Sequence, residues 1–373
     1  MRILILSCGT GGGHNSAGRA MAETFQAHGD EVLFPDYLSL ADEKVSKIVA
    51  GTYVDMARLT PRLFGGMYKI GMAVSKISHS SPVYQANKLM AKYLRAYLNE
   101  HPVDAVVMPH LYPAETLTWM KRSGDALPVT FAIATDYTCI PFWEETDCDF
   151  YVVPSEALSG EFVERGVPAG KVLPLGIPVS SAYRQPTTRA EARAALSLPA
   201  EGNCILVMGG SMGAGSLIDL TRCLLAQDKT AHIIVIAGSN ERTAAALHEL
   251  PDPAGRLTIL SFTKQVPLYL RACDLLFSKP GGLTSTEAAV SGIPLIHTDP
   301  IPGCETVNRE YFESRGMSLS ARTPEEQVQA GLRILHDPAL RDAMLQNQHK
   351  GIHPDAADRI YDAVKAAVER RNA

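Results

Sequence analysis

The chain has 373 residues, 46% hydrophobic and 20% charged, with 29 Gly and 24 Pro; this is globular composition for about two domains and excludes disorder, collagen and coiled coil. Thirty-five basic residues against 40 acidic give a net charge of -5, which speaks against a general nucleic-acid binder. Seven Cys without a CxxC pair point to a reducing compartment and away from a disulfide framework or structural zinc.

A first strand is expected over 2–7. Its apolar run, Ile3 to Leu6, is far shorter than the roughly 7–15 residues of a signal-peptide core. No stretch reaches the roughly 18 apolar residues of a membrane span, so the protein is expected in the cytoplasm. Further strands are expected at 31–35, 104–108, 129–133, 149–153 and 171–175, and a second series at 204–208, 232–236, 257–260, 274–277 and 294–297. Short β-branched runs alternating with helical patterns predict α/β domains with parallel, doubly wound sheets. Gly176-Ile177-Pro178-Val179 and the polar stretch through Thr187 read as a linker, dividing the chain into domains 1–178 and 179–353. From Pro354 on, Ile360, Val364, Ala367 and Val368 share one face of a C-terminal helix, 354–373, able to return to the first domain.

Residues 44–98 break this rhythm. Nine Lys/Arg stand there against Asp55 alone, a charge of +8 that leaves -13 on the rest of the chain. Tyr53, Phe64, Tyr68, Tyr84, Tyr93 and Tyr97 are interleaved with the bases, and Met67, Ile70, Met72, Val74 and Ile77 add apolar surface. On helical segments this mixture suits an anionic bilayer surface, at about 1 kcal/mol per basic residue. The residues expected to meet it are Lys69, Lys76, Lys88, Phe64 and Tyr68. A helical insertion whose bases face water is the alternative, and no RNA-recognition signature is present.

Three loops each follow a strand and open a helix. The first is Cys8-Gly9-Thr10-Gly11-Gly12-Gly13-His14-Asn15-Ser16. It is not the dinucleotide fingerprint, because His14 stands where the third glycine belongs, and there is no GxxxxGK[ST] loop. An imidazole there can take a proton from a hydroxyl at neutral pH; it can also merely cap the helix. The second loop, Gly209-Gly210-Ser211-Met212-Gly213-Ala214-Gly215-Ser216, can cradle phosphate with backbone amides. The third, Ser278-Lys279-Pro280-Gly281-Gly282-Leu283-Thr284, leads to Glu287, whose carboxylate can accept from both hydroxyls of a ribose. Asp147-Cys148-Asp149 has the look of an acidic pair for a metal, but no further ligand lies nearby in sequence, and no metal site is expected. Pro300 to Asn308 presents polar groups after a strand end, where open α/β sheets bind ligands.

Gly11-Gly12-Gly13-His14-Asn15-Ser16-Ala17, with Thr135-Asp136-Tyr137 and Pro141-Phe142-Trp143, resembles the N-terminal domain of monogalactosyldiacylglycerol synthases and bacterial processive diacylglycerol glucosyltransferases. Lys279-Pro280-Gly281-Gly282-Leu283-Thr284 with Glu287, then Ile301-Pro302-Gly303 and Asn308, resembles the sugar-nucleotide half of the same family. The resemblance implies an inverting transferase of GT-B architecture, two Rossmann-like domains facing a cleft. It implies a UDP-sugar donor held by the second domain and a diacylglycerol acceptor met by the first, at the inner face of the cell membrane. His14 is then the base and Asp136 its companion. Donor contacts fall to Gly13, Ser211, Met212, Gly213, Gly281, Gly282, Leu283 and Thr284, with Glu287 on the ribose and Ser261, Phe262 and Thr263 at the uracil. Glu305 and Asn308 would meet sugar hydroxyls. No cofactor is implied, since helix amides can replace a metal at the diphosphate. Cys304 stands where the family commonly has Gln. N-acetylglucosaminyl transfer to a polyprenyl-linked precursor, a UDP-sugar epimerase and a non-catalytic nucleotide-sugar sensor are the competing readings.

Overall fold

The computed structural model describes residues 1–8, 12–45, 81–210, 216–252 and 254–373. It separates into two compact units, Met1–Ser180 with Pro302–Cys304 and Pro354–Ala373, and Ser181–Ile301 with Glu305–His353. Each contains one six-stranded sheet in which every pairing is parallel.

In the first unit the strands are β1 (Arg2–Ile5), β2 (Glu31–Leu33), β3 (Ala105–Met108), β4 (Val129–Ile133), β5 (Phe150–Val152) and β6 (Val172–Leu173), in spatial order β2-β1-β3-β4-β5-β6. Successive side chains of a strand point to opposite faces, and the buried residues sort accordingly. Leu4, Val106 and Ala132 pack on one face with Met90, Leu94, Leu117 and Trp143. Ile3, Ile5, Val107 and Phe131 pack on the other with Met21, Phe25, Ile360, Val364 and Val368. The helix Ala356–Asn372 therefore belongs to the first unit: Tyr361 stacks on His28 at 3.8 Å and meets Phe25 at 5.5 Å, centroid to centroid.

In the second unit β7 (Cys204–Met208), β8 (His232–Ile236), β9 (Leu257–Leu260), β10 (Leu275–Ser278), β11 (Leu295–His297) and β12 (Leu319–Ser320) lie in the order β12-β11-β10-β7-β8-β9. Ile205, Val207, Ile233, Val235, Leu275 and Phe277 form its core with Leu220, Leu224, Val328 and Ile334 from the covering helices. Thr323 and Glu326 close a capping box that starts one of these, Pro324–His336, satisfying amides that no helical carbonyl can reach. The strand β12 has only two residues, which pair with Ile296 and His297, and carries no apolar run that sequence patterning could register.

Of the segment 44–98, residues 44–45 and 81–98 are described. A short helix, Pro82–Asn87, a 3-10 turn, Lys88–Met90, and a longer helix, Ala91–Glu100, bury Tyr84, Asn87, Met90 and Leu94 while Lys88, Leu89 and Lys92 face outward. Phe64, Tyr68, Lys69 and Lys76, expected at a membrane, lie outside the described residues. Among the described residues no helix is long and apolar enough to cross a membrane.

Candidate active site

In an open parallel sheet, ligands bind beyond the carboxyl ends of the strands where the strand order reverses. In the first unit that point lies between β1 and β3. The helix Gly12–Ala27 begins just after β1, with Gly12 and Gly13 leading to His14 in its first turn. Pro109 and His110 follow β3, and Thr135 and Asp136 follow β4. The His14 ring, half-buried, brings its Nδ1 to 2.8 Å from the Pro109 carbonyl oxygen and 3.0 Å from Thr135 Oγ1. A carbonyl only accepts, so Nδ1 carries the proton and donates it; the neutral ring keeps its lone pair on Nε2. Both partners come from other strands, so His14 does not serve as a cap of its own helix. Burial pulls its proton affinity below that of an ordinary histidine, while the Asp136 charge and the Pro109 bond act in the opposite sense. The ring is thus a neutral base at pH 7 with a carboxylate near enough to favour the imidazolium once it forms.

Nothing in its sequence position singles out His110, yet its ring packs against that of His14, with centroids 4.6 Å apart and planes at 72°. It is almost fully buried, and its Nδ1 accepts the Tyr112 amide at 3.2 Å, capping the helix Leu111–Arg122. Burial drives its pKa well below 6.5, and His14 pushes it the same way. Thr135, part of the Thr135-Asp136-Tyr137 motif, is a direct partner of the His14 ring.

In the second unit the order reverses between β10 and β7, and two of the glycine loops leave these strands. Gly210 has φ +69°, and a Cβ there would sit 2.7 Å from Lys279 Cε, so the backbone passes Lys279 where a side chain would collide. Ser211, Met212 and Gly213 lie outside the described residues. Gly281 precedes the helix Gly282–Ser291, in whose first turn Gly282 and Leu283 are buried and Thr284 is half-buried, with Glu287 also buried in this helix. The first amides of such a helix have no partner within it and form a positive end suited to an anion.

Lys279 forms an ion pair with Glu305, whose other oxygen accepts the Ile301 amide at 2.8 Å. Asn308 is fully buried and donates to the Pro280 carbonyl at 3.1 Å. That bond braces the Lys279–Gly281 turn from behind, and the expected sugar contact would come on top of it. Glu305 has each oxygen engaged once, by Lys279 and by the Ile301 amide, and a carboxylate oxygen keeps a second lone pair for a hydroxyl. Ser261 and Phe262 are exposed after β9, Phe262 at 66%, and Thr263 is half-buried and accepts the Gln265 amide.

The acidic pair at 147 and 149 is engaged by protein: Asp147 binds Lys171 and Lys121, and Asp149 binds Lys121 and both the amide and hydroxyl of Thr130. Among the described residues no group of three or more His, Cys, Asp or Glu side chains is disposed to hold a metal ion. A groove of about 310 Å³ lined by Leu98, Pro102, Asp104, Pro128 and Arg371 lies at the amino ends of β3 and β4, the end of the sheet remote from His14.

Residues 14–179 match the family described as monogalactosyldiacylglycerol (MGDG) synthase, and residues 210–351 match glycosyl transferases group 1. A processive diacylglycerol beta-glucosyltransferase of Bacillus pumilus is 25% identical over 360 residues, 94% of this chain and 91% of that protein. Among solved structures, MurG of Acinetobacter baumannii is similar with a TM-score of 0.63 at 17% identity, over 98% of this chain and 99% of the other. A UDP-GlcNAc 2-epimerase of Neisseria meningitidis bound to UDP-GlcNAc gives a TM-score of 0.64 at 12% identity, over 98% and 100%. At such identities these structures speak to architecture alone, and the architecture is GT-B.

Proposed function

We propose that this GT-B glycosyltransferase, whose residues 14–179 form a domain of the monogalactosyldiacylglycerol synthase family, moves a hexose from a UDP-sugar to diacylglycerol with inversion at the anomeric carbon. The observation that carries the reading is the tautomer of His14: with Nδ1 committed to Pro109, Nε2 is left as a base. The free hydroxyl of the acceptor gives its proton to Nε2 while its oxygen attacks the anomeric carbon. The bond from that carbon to the diphosphate breaks on the opposite face, and UDP departs with the electron pair. In this reading the amides opening the helix Gly282–Ser291 and the nearby Lys279 ammonium take up the charge growing on the diphosphate. Glu287 receives the ribose and Phe262 offers its exposed ring to the uracil. No metal is invoked, so turnover is expected to persist in chelator.

The similarity to a processive diacylglycerol beta-glucosyltransferase supports the acceptor class. The exposed Lys88, Leu89 and Lys92 support work at an anionic surface, as on the cytoplasmic leaflet. The test is mass spectrometry of lipid products from a panel of UDP-glucose, UDP-galactose and UDP-N-acetylglucosamine offered with diacylglycerol in anionic mixed micelles. A hexosyl-diacylglycerol product and UDP release that depends on the lipid are expected; sugar isomerisation without a glycolipid would replace this reading with an epimerase. His14→Ala is expected to keep UDP binding and lose about 10²–10⁴ in turnover.

A further inference from the structure

Two rings that both could be bases stand edge to face at the switch point of the first sheet, and they are not equivalent. His14 meets the Pro109 carbonyl and Thr135 Oγ1 through one nitrogen. Those two bonds hold one edge of the ring and leave it free to swing about that edge. The third constraint is His110, at a centroid distance of 4.6 Å and an angle of 72°, within the range of a well-packed perpendicular pair. His110 is itself immobilised, by the Tyr112 amide on its Nδ1 and by the Tyr112 ring at 4.7 Å. The same dipeptide therefore supplies both the acceptor for His14 and the wall beside it, and the ring of Pro109 stiffens the backbone between them.

We propose that His110 is a positioning residue for His14: its ring fixes the rotation of the His14 imidazole and keeps water from its flank, while the proton it holds on Nε2 leaves His14 as the proton acceptor of the pair. This rests on the reading of His14 as the base. The groups that act on the His14 proton are the Asp136 carboxylate and Thr135 hydroxyl from the end of β4, and the Pro109 carbonyl and His110 ring from the end of β3. Burial is the largest of the influences on His14, and His110 is part of what buries it. A second imidazolium at this distance would oppose the one that forms in turnover; a neutral ring does not.

Two variants separate the wall from the cap. His110→Asn keeps an oxygen able to accept the Tyr112 amide, since Asn is a favoured N-cap, but removes the ring. His110→Phe keeps a ring and removes the cap. For His110→Asn, kcat is expected to fall about 10²-fold, the scale for a group displaced by about 1 Å, with KM for the UDP-sugar unchanged. Its acid limb in the pH profile is expected to move up towards 6.5 as water reaches His14. For His110→Phe, kcat is expected to stay within about threefold of the parent at a lower melting temperature. Parental kcat and pH profile in His110→Asn would overturn the proposal, as would equal losses of kcat and stability in both variants. His14→Ala is the control: if it retains turnover the base assignment fails, whereas its loss with a silent His110→Asn removes only the role of His110.

Discussion

His14 donates its Nδ1 proton to the Pro109 carbonyl across 2.8 Å, and this single bond decides which nitrogen of the ring is basic. Because burial lowers the proton affinity of that ring below its ordinary value of 6.5, kcat/KM should be flat around neutrality. It should fall only below the usual histidine range, by about tenfold per pH unit. Asp136 raises the proton affinity of His14. Asp136→Asn should therefore shift the acid limb to still lower pH and, by destabilising the imidazolium, reduce kcat at pH 7 about tenfold. A pH–rate profile of both proteins checks the two signs together.

Gly210 and Gly292 both have positive φ, +69° and +68°, but a Cβ at Gly210 meets Lys279 whereas one at Gly292 meets nothing within 4 Å. Alanine at either site costs about 1–2 kcal/mol of backbone strain. Only Gly210→Ala should also displace Lys279 from Glu305 and weaken UDP binding, by about tenfold. Calorimetric titration of UDP into the two variants isolates the Lys279 contribution.

Glu115 and Glu145 are buried side by side in the first unit, Glu115 also receiving Asn87 Nδ2 at 2.5 Å and Glu145 the Ser81 amide at 2.8 Å. Burial raises both carboxyl pKa values above 4.5, and for Glu115 its neighbour adds to the rise. The folded chain thus keeps a proton that the unfolded chain releases, and this contribution is present below about pH 4.5 and lost as pH rises through the raised values. Glu115→Gln should leave the melting temperature little changed at pH 4.5. At pH 8 it should raise stability, on the order of 1 kcal/mol. Thermal unfolding at the two pH values checks it.

Ile360 and Val364 are fully buried against Ile3, Ile5 and Phe131. Ile360→Ala should destabilise the first unit by about 2–5 kcal/mol and leave the unfolding of the second unit where it was. Calorimetry that resolves two transitions would show one of them moving.

Lys88 and Lys92 are exposed on either side of the 42% exposed Leu89. Reversing both charges to Glu should weaken binding to phosphatidylglycerol vesicles at least about tenfold, from about 1 kcal/mol per lysine. Binding to neutral vesicles should be unaffected. Cosedimentation at two salt concentrations reads both effects.

Most of the two sheets was legible because their strands are buried on both faces and read as apolar runs, as Cys204–Met208 and residues 233–236 do. The start of the helix carrying His14 was legible for a different reason: glycines directly after an apolar run mark a turn out of a strand. What the pattern could not show was pairing between residues far apart in sequence. Nothing around His110 announces that its ring will meet His14. Asn308 reads as a polar group at a strand end until the fold turns it inward onto Pro280. The carboxylates at 147 and 149 look like ligands until Lys121 and Lys171 arrive from other elements. In each case the deciding partner lies on another element of the same unit.

The helix Ala356–Asn372 covers the face of the first sheet that Ile3 and Ile5 present. During synthesis Ile3 leaves the ribosome long before Ile360, and the whole second unit emerges between them. The second unit can therefore acquire its native core while the first still waits for one wall of its own, so the part of the chain made earliest is finished last. Chaperones that shield apolar surface have their longest opportunity on that uncovered face.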